Sequence, residues 1–152
     1  MSRNSSVLIV IADDDADDRL LIEDAFRDSR LANPIAFAED GIELLELLKG
    51  KGKYSSRGDR AKPGLILLDL NMPRMDGRSA LAQIKADPEL RRIPVVVFTT
   101  SKAEEDILST YDLGVNSFIQ KPVTFEGLVD VVRKLNHYWI EIVELPGSRV
   151  AA

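Results

Sequence analysis

The sequence predicts an α/β domain in which one parallel five-stranded sheet is covered by helices on both faces, the doubly wound arrangement. Short apolar runs alternate with helical patterns along most of the chain. The main runs are nearly continuous in valine, isoleucine and leucine, which is typical of strands that are covered on both faces. The chain has 152 residues, which is the size of one ordinary domain with a single core.

Five apolar runs are predicted to be strands, of which the second is the weakest. They are VLIVIA at 7–12, PIAFAE at 34–39, GLILLDL at 64–70, IPVVVFT at 93–99 and NSFIQK at 116–121. A helical pattern follows each run, so the order is strand and helix repeated five times. This order implies a parallel sheet with right-handed crossovers.

The helical patterns carry start and stop signals. They lie at 17–28, 41–49, 78–86, 102–113 and 125–139. The first opens with acidic residues, which suit a helix N-terminus, and the third stops at Asp87-Pro88, as helices tend to do before proline. The sequence SKAE at 101–104 matches a capping box, and Gly114 is placed to end that helix. These signals predict helix ends as well as helix positions.

Composition excludes several classes of function. The net charge of −5 argues against nucleic acid as the main partner. Cysteine is absent and there is one histidine, so thiol chemistry, disulfides and histidine-based metal sites are not expected. No apolar stretch approaches the ~20 residues that span a bilayer. Residues 1–6 are polar and are expected to be disordered rather than a signal peptide, so a cytoplasmic location without membrane contact is predicted.

One segment departs from the acidic balance of the chain. The stretch KGKGKYSSRGDRAKPG at 49–64 carries six basic residues, with Asp59 as its only acid. Its glycines and serines indicate a flexible loop. A solvated basic loop between two elements is the favoured interpretation, and a loop that docks a partner is the alternative.

Polar side chains stand where the predicted strands end. They are Asp13 and Asp14 after the first strand, Asp69 after the third, Thr99 and Thr100 after the fourth, and Lys121 and Pro122 after the fifth. In a parallel sheet the carboxyl ends of the strands share one edge, where functional groups collect. The sequence therefore predicts one site that contains three carboxylates, hydroxyls and an ammonium group.

The carboxylates at this edge indicate a metal ion. Without a cation, Asp13, Asp14 and Asp69 would repel one another and would tend to take up protons. A hard divalent ion removes this repulsion. A few carboxylate oxygens completed by water suit Mg²⁺ better than a transition metal, so Mg²⁺ is the predicted ion.

The other acidic residues near the first strand have a simpler interpretation. Asp15, Asp17 and Asp18 are assigned to the start of the first helix, where negative charge is favourable. An acidic helix start without any ligand would also explain Asp13 and Asp14. That alternative does not explain Asp69, a carboxylate that closes a buried apolar run.

Together these residues resemble the receiver domain of two-component response regulators. The matching elements are Asp13-Asp14, Asp69 within LLDLNMPRMDG, Thr99 after VVVF, and Lys121-Pro122 within FIQKP. The resemblance extends over roughly residues 6–138. It implies a flavodoxin-like (βα)5 fold and phosphorylation on aspartate by a histidine kinase. On this resemblance residues 7–138 form the receiver domain and residues 139–152 form an extension of the last helix and a tail.

The resemblance also implies a role for each metal-binding and acceptor residue. Asp69 would be the phosphorylation site, a carboxylate nucleophile that forms an acyl phosphate. Asp14 would bind Mg²⁺ directly and Asp13 largely through water. The backbone carbonyl of Asn71 would complete the ligands that the protein supplies.

Further roles follow from the same resemblance. Lys121 would contact the phosphoryl oxygens, and Thr99 would donate its hydroxyl to them once the group is bound. The Lys121–Pro122 peptide bond would be cis. Pro73 and Gly77 would shape the loop after Asp69.

The sequence departs from the common pattern of the family at two positions. Thr100 stands where an alanine or glycine is usual, which would narrow access to the site. Phe118 stands where many members have the tyrosine that switches together with Thr99, so a switch here would work through packing alone. Asn71 and Ser101 occupy positions that tune the lifetime of the phosphoryl group.

Two other functions are weighed against a phosphorylated signalling domain. A phosphatase with a strand-end nucleophile would need a second aspartate two residues after Asp69, but Asn71 stands there. A scaffold that is never phosphorylated would not need Asp13, Asp14, Asp69, Thr99 and Lys121 together. The domain is therefore not expected to be an enzyme beyond its own phosphorylation and dephosphorylation.

The C-terminal part of the sequence indicates which proteins the domain would interact with. No DNA-binding output domain is expected after the receiver, and the ending HYWIEIVELP at 137–146 is similar to small response regulators paired with phytochrome-type or hybrid kinases. The apolar pattern continues past Asn136, where a minimal receiver would stop. A homodimer is predicted on the last helix, the fifth strand and the helix at 102–113, and a tail folded over its own sheet is the alternative.

Overall fold

The computed structural model describes residues 7–29, 33–51, 63–100 and 103–138. The strands are β1 (Ile9–Ala12), β2 (Ile35–Ala38), β3 (Leu65–Leu68), β4 (Val95–Thr99) and β5 (Ser117–Gln120). The helices are α1 (Ala16–Asp28), α2 (Gly41–Lys49), α3 (Gly77–Ala86), α4 (Glu104–Asp112) and α5 (Phe125–Leu135), with a short 3-10 helix at Leu90–Arg92. The strands are parallel and form one sheet in the order β2-β1-β3-β4-β5. The predicted flavodoxin-like (βα)5 fold is confirmed.

The sheet separates two hydrophobic clusters, because successive side chains of a strand point to opposite faces. In β1, Ile9 and Ile11 belong to a cluster with residues of α1 and α5. Val10 and Ala12 belong to the cluster on the other face, with residues of α2 and α3. All four side chains of β1 are buried, which explains the absence of polar alternation in this run.

Helix starts are fixed by side chains in four of the described helices. Asp15, Asp40, Asp76 and Thr124 each accept a hydrogen bond from a backbone N–H in the first turn of the helix that follows. Such caps satisfy donors that have no partner within the helix. The prediction that Asp15 belongs to the helix start is therefore confirmed.

Two helix ends differ from the sequence predictions. Helix α4 has Ala103 at its N-cap position, so the capping box expected at 101–104 is wrong; Gly114, with φ of 96°, follows the helix end as predicted. Helix α5 ends at Leu135, and 136–138 form a π-helical turn. The predicted extension at 139–152, the N-terminal segment 1–6 and most of the basic loop lie outside the described residues.

The described helices are short relative to a bilayer. None of them is both long enough and apolar enough to cross a membrane.

Candidate functional site

Backbone hydrogen bonds hold three predicted site residues at one edge of the sheet. The N–H of Asp13 donates to Ala38 O at 2.9 Å, and the N–H of Asp69 donates to Ala12 O at 2.9 Å. The N–H of Lys121 donates to Thr99 O at 2.7 Å. Each residue lies just beyond its strand and extends the ladder to the neighbouring strand. In the sheet β1 lies between β2 and β3, so the strand order reverses direction at β1. The point between β1 and β3 where the order reverses is where ligands bind in such sheets.

The three carboxylates among the predicted metal ligands come together. One carboxylate oxygen from each of Asp13, Asp14 and Asp69 lies within 4.8 Å of the others. Asp13 and Asp69 are buried and Asp14 is exposed. Three carboxylate ligands at a site that is open to solvent on one side suit a hard divalent ion that keeps part of its bound water.

The ammonium group of Lys121 lies among these carboxylates. Lys121 Nζ donates to an oxygen of Asp13, to Asp18 Oδ2 at 2.9 Å and to Asp69 Oδ2 at 3.2 Å. Burial lowers the pKa of Lys121, but the hydrogen bonds and negative charges of its partners outweigh burial and raise this pKa above its ordinary value. Lys121 is therefore a permanent cation at neutral pH.

Burial has the opposite effect on Asp13. Loss of water raises the pKa of the Asp13 carboxyl above its usual value, although Lys121 and the N–H of Asp15 partly oppose this shift. The Asp15 N–H donates to Asp13 Oδ1 at 3.0 Å. A further cation at this edge would favour the ionised form of Asp13.

Both oxygens of the Asp69 carboxylate have donors. Thr99 Oγ1 donates to Asp69 Oδ1 at 2.7 Å, and the N–H of Asn71 reaches the same oxygen at 3.2 Å. Lys121 holds Oδ2. Thr99 is fully buried, so its hydroxyl is confined beside the carboxylate. The structure thus brings Asp69, Thr99 and Lys121 together as predicted.

The loop after Asp69 is tightly packed against its surroundings. A Cβ added to Gly77 would lie 2.1 Å from the carbonyl oxygen of Asp69, so only glycine fits at this position. The N–H of Gly77 donates to Leu70 O at 2.9 Å, and the N–H of Met75 donates to Pro73 O at 2.7 Å. Both predicted loop-shaping residues, Pro73 and Gly77, therefore take part in hydrogen bonds within the loop.

An ion pair ties the same loop to α2. Arg74 has a positive φ of 61°, and its guanidinium donates to both oxygens of Asp40, at 2.8 and 3.1 Å. Asp40 also caps α2, and the N–H of Gly41 donates to Met75 O at 2.8 Å. The loop that carries Asp69 is consequently held from two sides.

Sequence reasoning missed a second ion pair, which joins α3 to α4. Arg78 Nε and Nη2 each lie 2.6 Å from an oxygen of Asp106, and Arg78 Nη1 lies 3.4 Å from Leu70 O. The carboxylate of Asp106 raises the pKa of Arg78 above its ordinary value. In the sequence, Arg78 directly follows Asp76-Gly77, and this was the signal that could have drawn attention to it. Its partner Asp106 lies 28 residues further along the chain, so the pair is not recognisable from the local sequence.

Two further contacts of the β1–α1 turn were not foreseen. Asp18, assigned only to the helix start, also binds Lys121. Arg19 donates to Asp13 O at 2.7 Å and to Glu39 at 3.0 Å. Both side chains belong to the first turn of α1, which therefore contributes to the site as well as to the helix.

One predicted feature of the site is wrong. The Lys121–Pro122 peptide bond is trans, and no cis peptide occurs in the described parts of the chain. The trans isomer of an X–Pro bond is the more stable by about 0.5–1 kcal/mol. With this isomer Lys121 reaches all three carboxylates, so its contacts do not require a cis bond.

The two positions that depart from the family pattern lie near the site. Thr100 is exposed and lines a cavity of about 310 Å³ together with Lys121 and Pro122. Phe118 is partly buried against the cluster on the α2 and α3 face. The N–H of Phe118 donates to Tyr111 Oη of α4 at 3.2 Å. Phe118 thus contacts the core through its side chain and α4 through its backbone N–H.

Fold and site together define a receiver domain of a two-component response regulator. The sequence model of the response regulator receiver domain family matches residues 9–133, and the chain belongs to this family. It is 37% identical to response regulator Rcp1 of Synechocystis over 147 residues, which is 97% of each chain. It is 33% identical to the chemotaxis protein CheY-3 of Vibrio cholerae over 132 residues, 87% of this chain and 93% of that one.

Solved structures agree with this assignment. The phosphorylated cyanobacterial phytochrome response regulator RcpA superposes with a TM-score of 0.85 at 39% identity, covering 93% of this chain and 99% of that chain. The Mn²⁺-bound form of Rcp1 superposes with a TM-score of 0.84 at 36% identity, covering 92% and 99%. Divalent metal binding is thus a property of a relative with the same fold.

Proposed function

We propose that this chain is a signalling domain of a phosphorelay that accepts a phosphoryl group on Asp69 from a histidine kinase in a Mg²⁺-dependent reaction. The observation that carries the proposal is the setting of the Asp69 carboxylate. It lies between the hydroxyl of Thr99 and the ammonium of Lys121, beside the carboxylates of Asp13 and Asp14. This is a nucleophile flanked by a donor and a cation that can receive phosphoryl oxygens.

The chemical step is a transfer between two nucleophiles. An oxygen of Asp69 attacks the phosphorus of a phosphohistidine, the P–O bond forms, and the P–N bond breaks. The imidazole nitrogen leaves with the electron pair, so the products are an acyl phosphate and a free histidine. Lys121 and Thr99 then donate to oxygens of the phosphoryl group rather than to the carboxylate.

The residues at the site suit a magnesium ion. Asp13, Asp14 and Asp69 supply converging carboxylate oxygens, and the backbone carbonyl of Asn71 would add a fourth ligand from the protein. When bound, Mg²⁺ would neutralise charge on the phosphoryl oxygens during transfer. In this scheme Asp14 would hold the ion directly and Asp13 would hold it largely through water.

Loss of Asp14 is expected to weaken Mg²⁺ binding more than loss of Asp13. Asp14 is the exposed carboxylate of the three, and among the described ion pairs it makes no contact with Lys121. Asp13, in contrast, forms an ion pair with Lys121. Calorimetry on Asp14→Ala and Asp13→Ala measures both affinities, with Asp17→Ala as a control for the loss of one negative charge. Wild-type affinity in Asp14→Ala would refute this ligand assignment.

Incubation with acetyl phosphate and Mg²⁺, followed by intact mass, tests the proposal against its alternatives. A signalling domain accumulates the mass of one phosphoryl group. A phosphatase would release phosphate repeatedly without accumulating the adduct, and a scaffold would stay unmodified. Omission of Mg²⁺ is the matched control and should prevent the gain in mass.

The switch that follows phosphorylation would use Thr99 and Phe118. Movement of the Thr99 hydroxyl toward the phosphoryl group would leave space beside Phe118 on the neighbouring strand β5. Because Phe118 lacks a hydroxyl, the change would be transmitted by packing of its side chain near α4, where Tyr111 contacts the Phe118 backbone.

A kinase of phytochrome type is the proposed phosphoryl donor, supported by the phytochrome response regulator RcpA at 39% identity.

Phosphorylation is proposed to act through partner binding or through a homodimer, and the homodimer is favoured. Leu108, Tyr111 and Leu113 of the α4 region and Tyr138 after α5 expose large apolar surfaces, which is consistent with an interface on α4, β5 and α5. Sedimentation of the full chain and of a chain truncated after Asn136, with and without beryllofluoride, should show a dimer that depends on the tail. If all four samples are monomers at tens of micromolar, the dimer proposal fails.

A further inference from the structure

Asp18 stands out among the partners of Lys121. An ammonium group has three N–H donors, and here all three find carboxylates. Asp13 and Asp69 belong to the proposed metal and acceptor set. Asp18 lies in the first turn of α1, with Oδ2 at 2.9 Å from Lys121 Nζ, and it is neither a proposed ligand nor the acceptor. One third of the hydrogen-bonding capacity of Lys121 is therefore directed away from the phosphorylation site.

The position of Asp18 is fixed by its helix. Asp15 Oδ1 accepts hydrogen bonds from the N–H groups of Asp17 and Asp18 at 2.8 and 3.0 Å, which anchors the first turn of α1. The carboxylate of Asp18 is therefore presented to Lys121 by an ordered backbone. Lys121 is itself largely buried, with a side chain 9% exposed, so its ammonium has few alternative places to go.

The neighbouring Asp17 provides an internal comparison. It carries the same charge in the same turn, but a rotation of about 100° per residue places it on a different face of α1. Within the described residues, the ion pairs of Lys121 include Asp18 and not Asp17. An effect that is specific to Asp18 therefore does not arise from the net charge of the helix start.

From this geometry we infer that Asp18 is a positioning residue for Lys121 and restrains the response to phosphorylation. This inference rests on the proposed function. Asp18 draws the ammonium toward α1 and competes for it with the phosphoryl group on Asp69. A phosphoryl group on Asp69 gains the full contact with Lys121 only as the contact with Asp18 weakens. Asp18 thus lowers the stability of the phosphorylated state and biases the domain toward its resting form.

Beryllofluoride titration in the presence of saturating Mg²⁺ tests this role, followed by amide NMR shifts on the full chain. Beryllofluoride combines with the acceptor aspartate as a phosphoryl mimic, so its affinity reports how well Lys121 reaches the group. Asp18→Asn is expected to bind it about two- to fivefold more tightly than the wild type, the range of a partly exposed ion pair. Asp17→Asn, which removes the same charge, should bind it as the wild type does.

A double-mutant cycle separates the contact from simple repulsion. Asp18→Asn is compared with the wild type, and Asp18→Asn/Lys121→Ala is compared with Lys121→Ala. The gain from Asp18→Asn should disappear when Lys121 is absent. An equal gain in the Lys121→Ala background, an equal gain in Asp17→Asn, or no gain at all would overturn the role of Asp18. Absence of beryllofluoride binding by the wild type would instead refute the proposed function.

Discussion

Replacement of Asp69 by asparagine is expected to abolish phosphoryl incorporation from acetyl phosphate while the fold is retained. The neutral amide of asparagine does not attack phosphorus to form an acyl phosphate. It has nearly the shape of the carboxylate, however, and its oxygen can still accept a hydrogen bond from Thr99. Lys121 keeps two carboxylate partners, Asp13 and Asp18, so no buried charge is left alone. Intact mass should show a single unmodified species.

A matched control for this variant is Asp76→Asn. Asp76 is the N-cap residue of α3 in the same loop, and its side chain accepts from the N–H of Ser79 at 3.0 Å. Among the described hydrogen bonds, Asp76 has none with Lys121 or with the carboxylates that bind Lys121. Asp76→Asn should therefore be labelled like the wild type, and Asn is also a good cap. Full labelling of Asp69→Asn would show that another residue is the acceptor.

Replacement of Gly77 by alanine is expected to lower the free energy of unfolding by about 2–4 kcal/mol. The added Cβ would stand 2.1 Å from the carbonyl oxygen of Asp69 and 2.8 Å from Leu70 Cα. Both contacts are with backbone, which cannot rotate away as a side chain can. Relief of the overlap requires the loop and α3 to separate, so phosphorylation of Asp69 should also be slower.

Urea denaturation measures this effect, with Ser79→Ala as the control. Ser79 lies in the first turn of the same helix and is exposed, so alanine there should change stability by about 0.5 kcal/mol or less. If Gly77→Ala were as stable as Ser79→Ala, the close approach between Gly77 and the Asp69 carbonyl would not exist in solution.

The fold was predictable because its strands are buried on both faces. All four side chains of β1 and of β3, and all five of β4, are buried, and such runs leave little doubt about which segments form the sheet. The site was predictable for a related reason, since parallel strands deliver their ends to one edge. Asp13, Asp69 and Lys121 could therefore be grouped from the sequence, as the structure confirms.

The contacts that escaped prediction depend on the choice of partner by a charged side chain. Asp18 and Lys121 are separated by 103 residues, and Arg78 and Asp106 by 28. Periodicity places an acidic side chain on a helix, but it does not say which distant cation the side chain meets. The capping box at 101–104 failed in a similar way, because a short motif was taken to fix the start of α4 and the helix begins later.

Assembly of the site from distant segments has a thermodynamic consequence. Lys121 and Asp13 are 108 residues apart, and Lys121 and Asp69 are 52 apart, so the cluster exists only when β1, β3 and β5 lie in one folded sheet. An ion bound there cannot bind the unfolded chain with comparable affinity. Saturation at about 100 times the dissociation constant would therefore raise the stability of the entire domain by about 2.7 kcal/mol. The melting temperature thus becomes a measure of occupancy, even though the bound ion touches only one edge of the sheet.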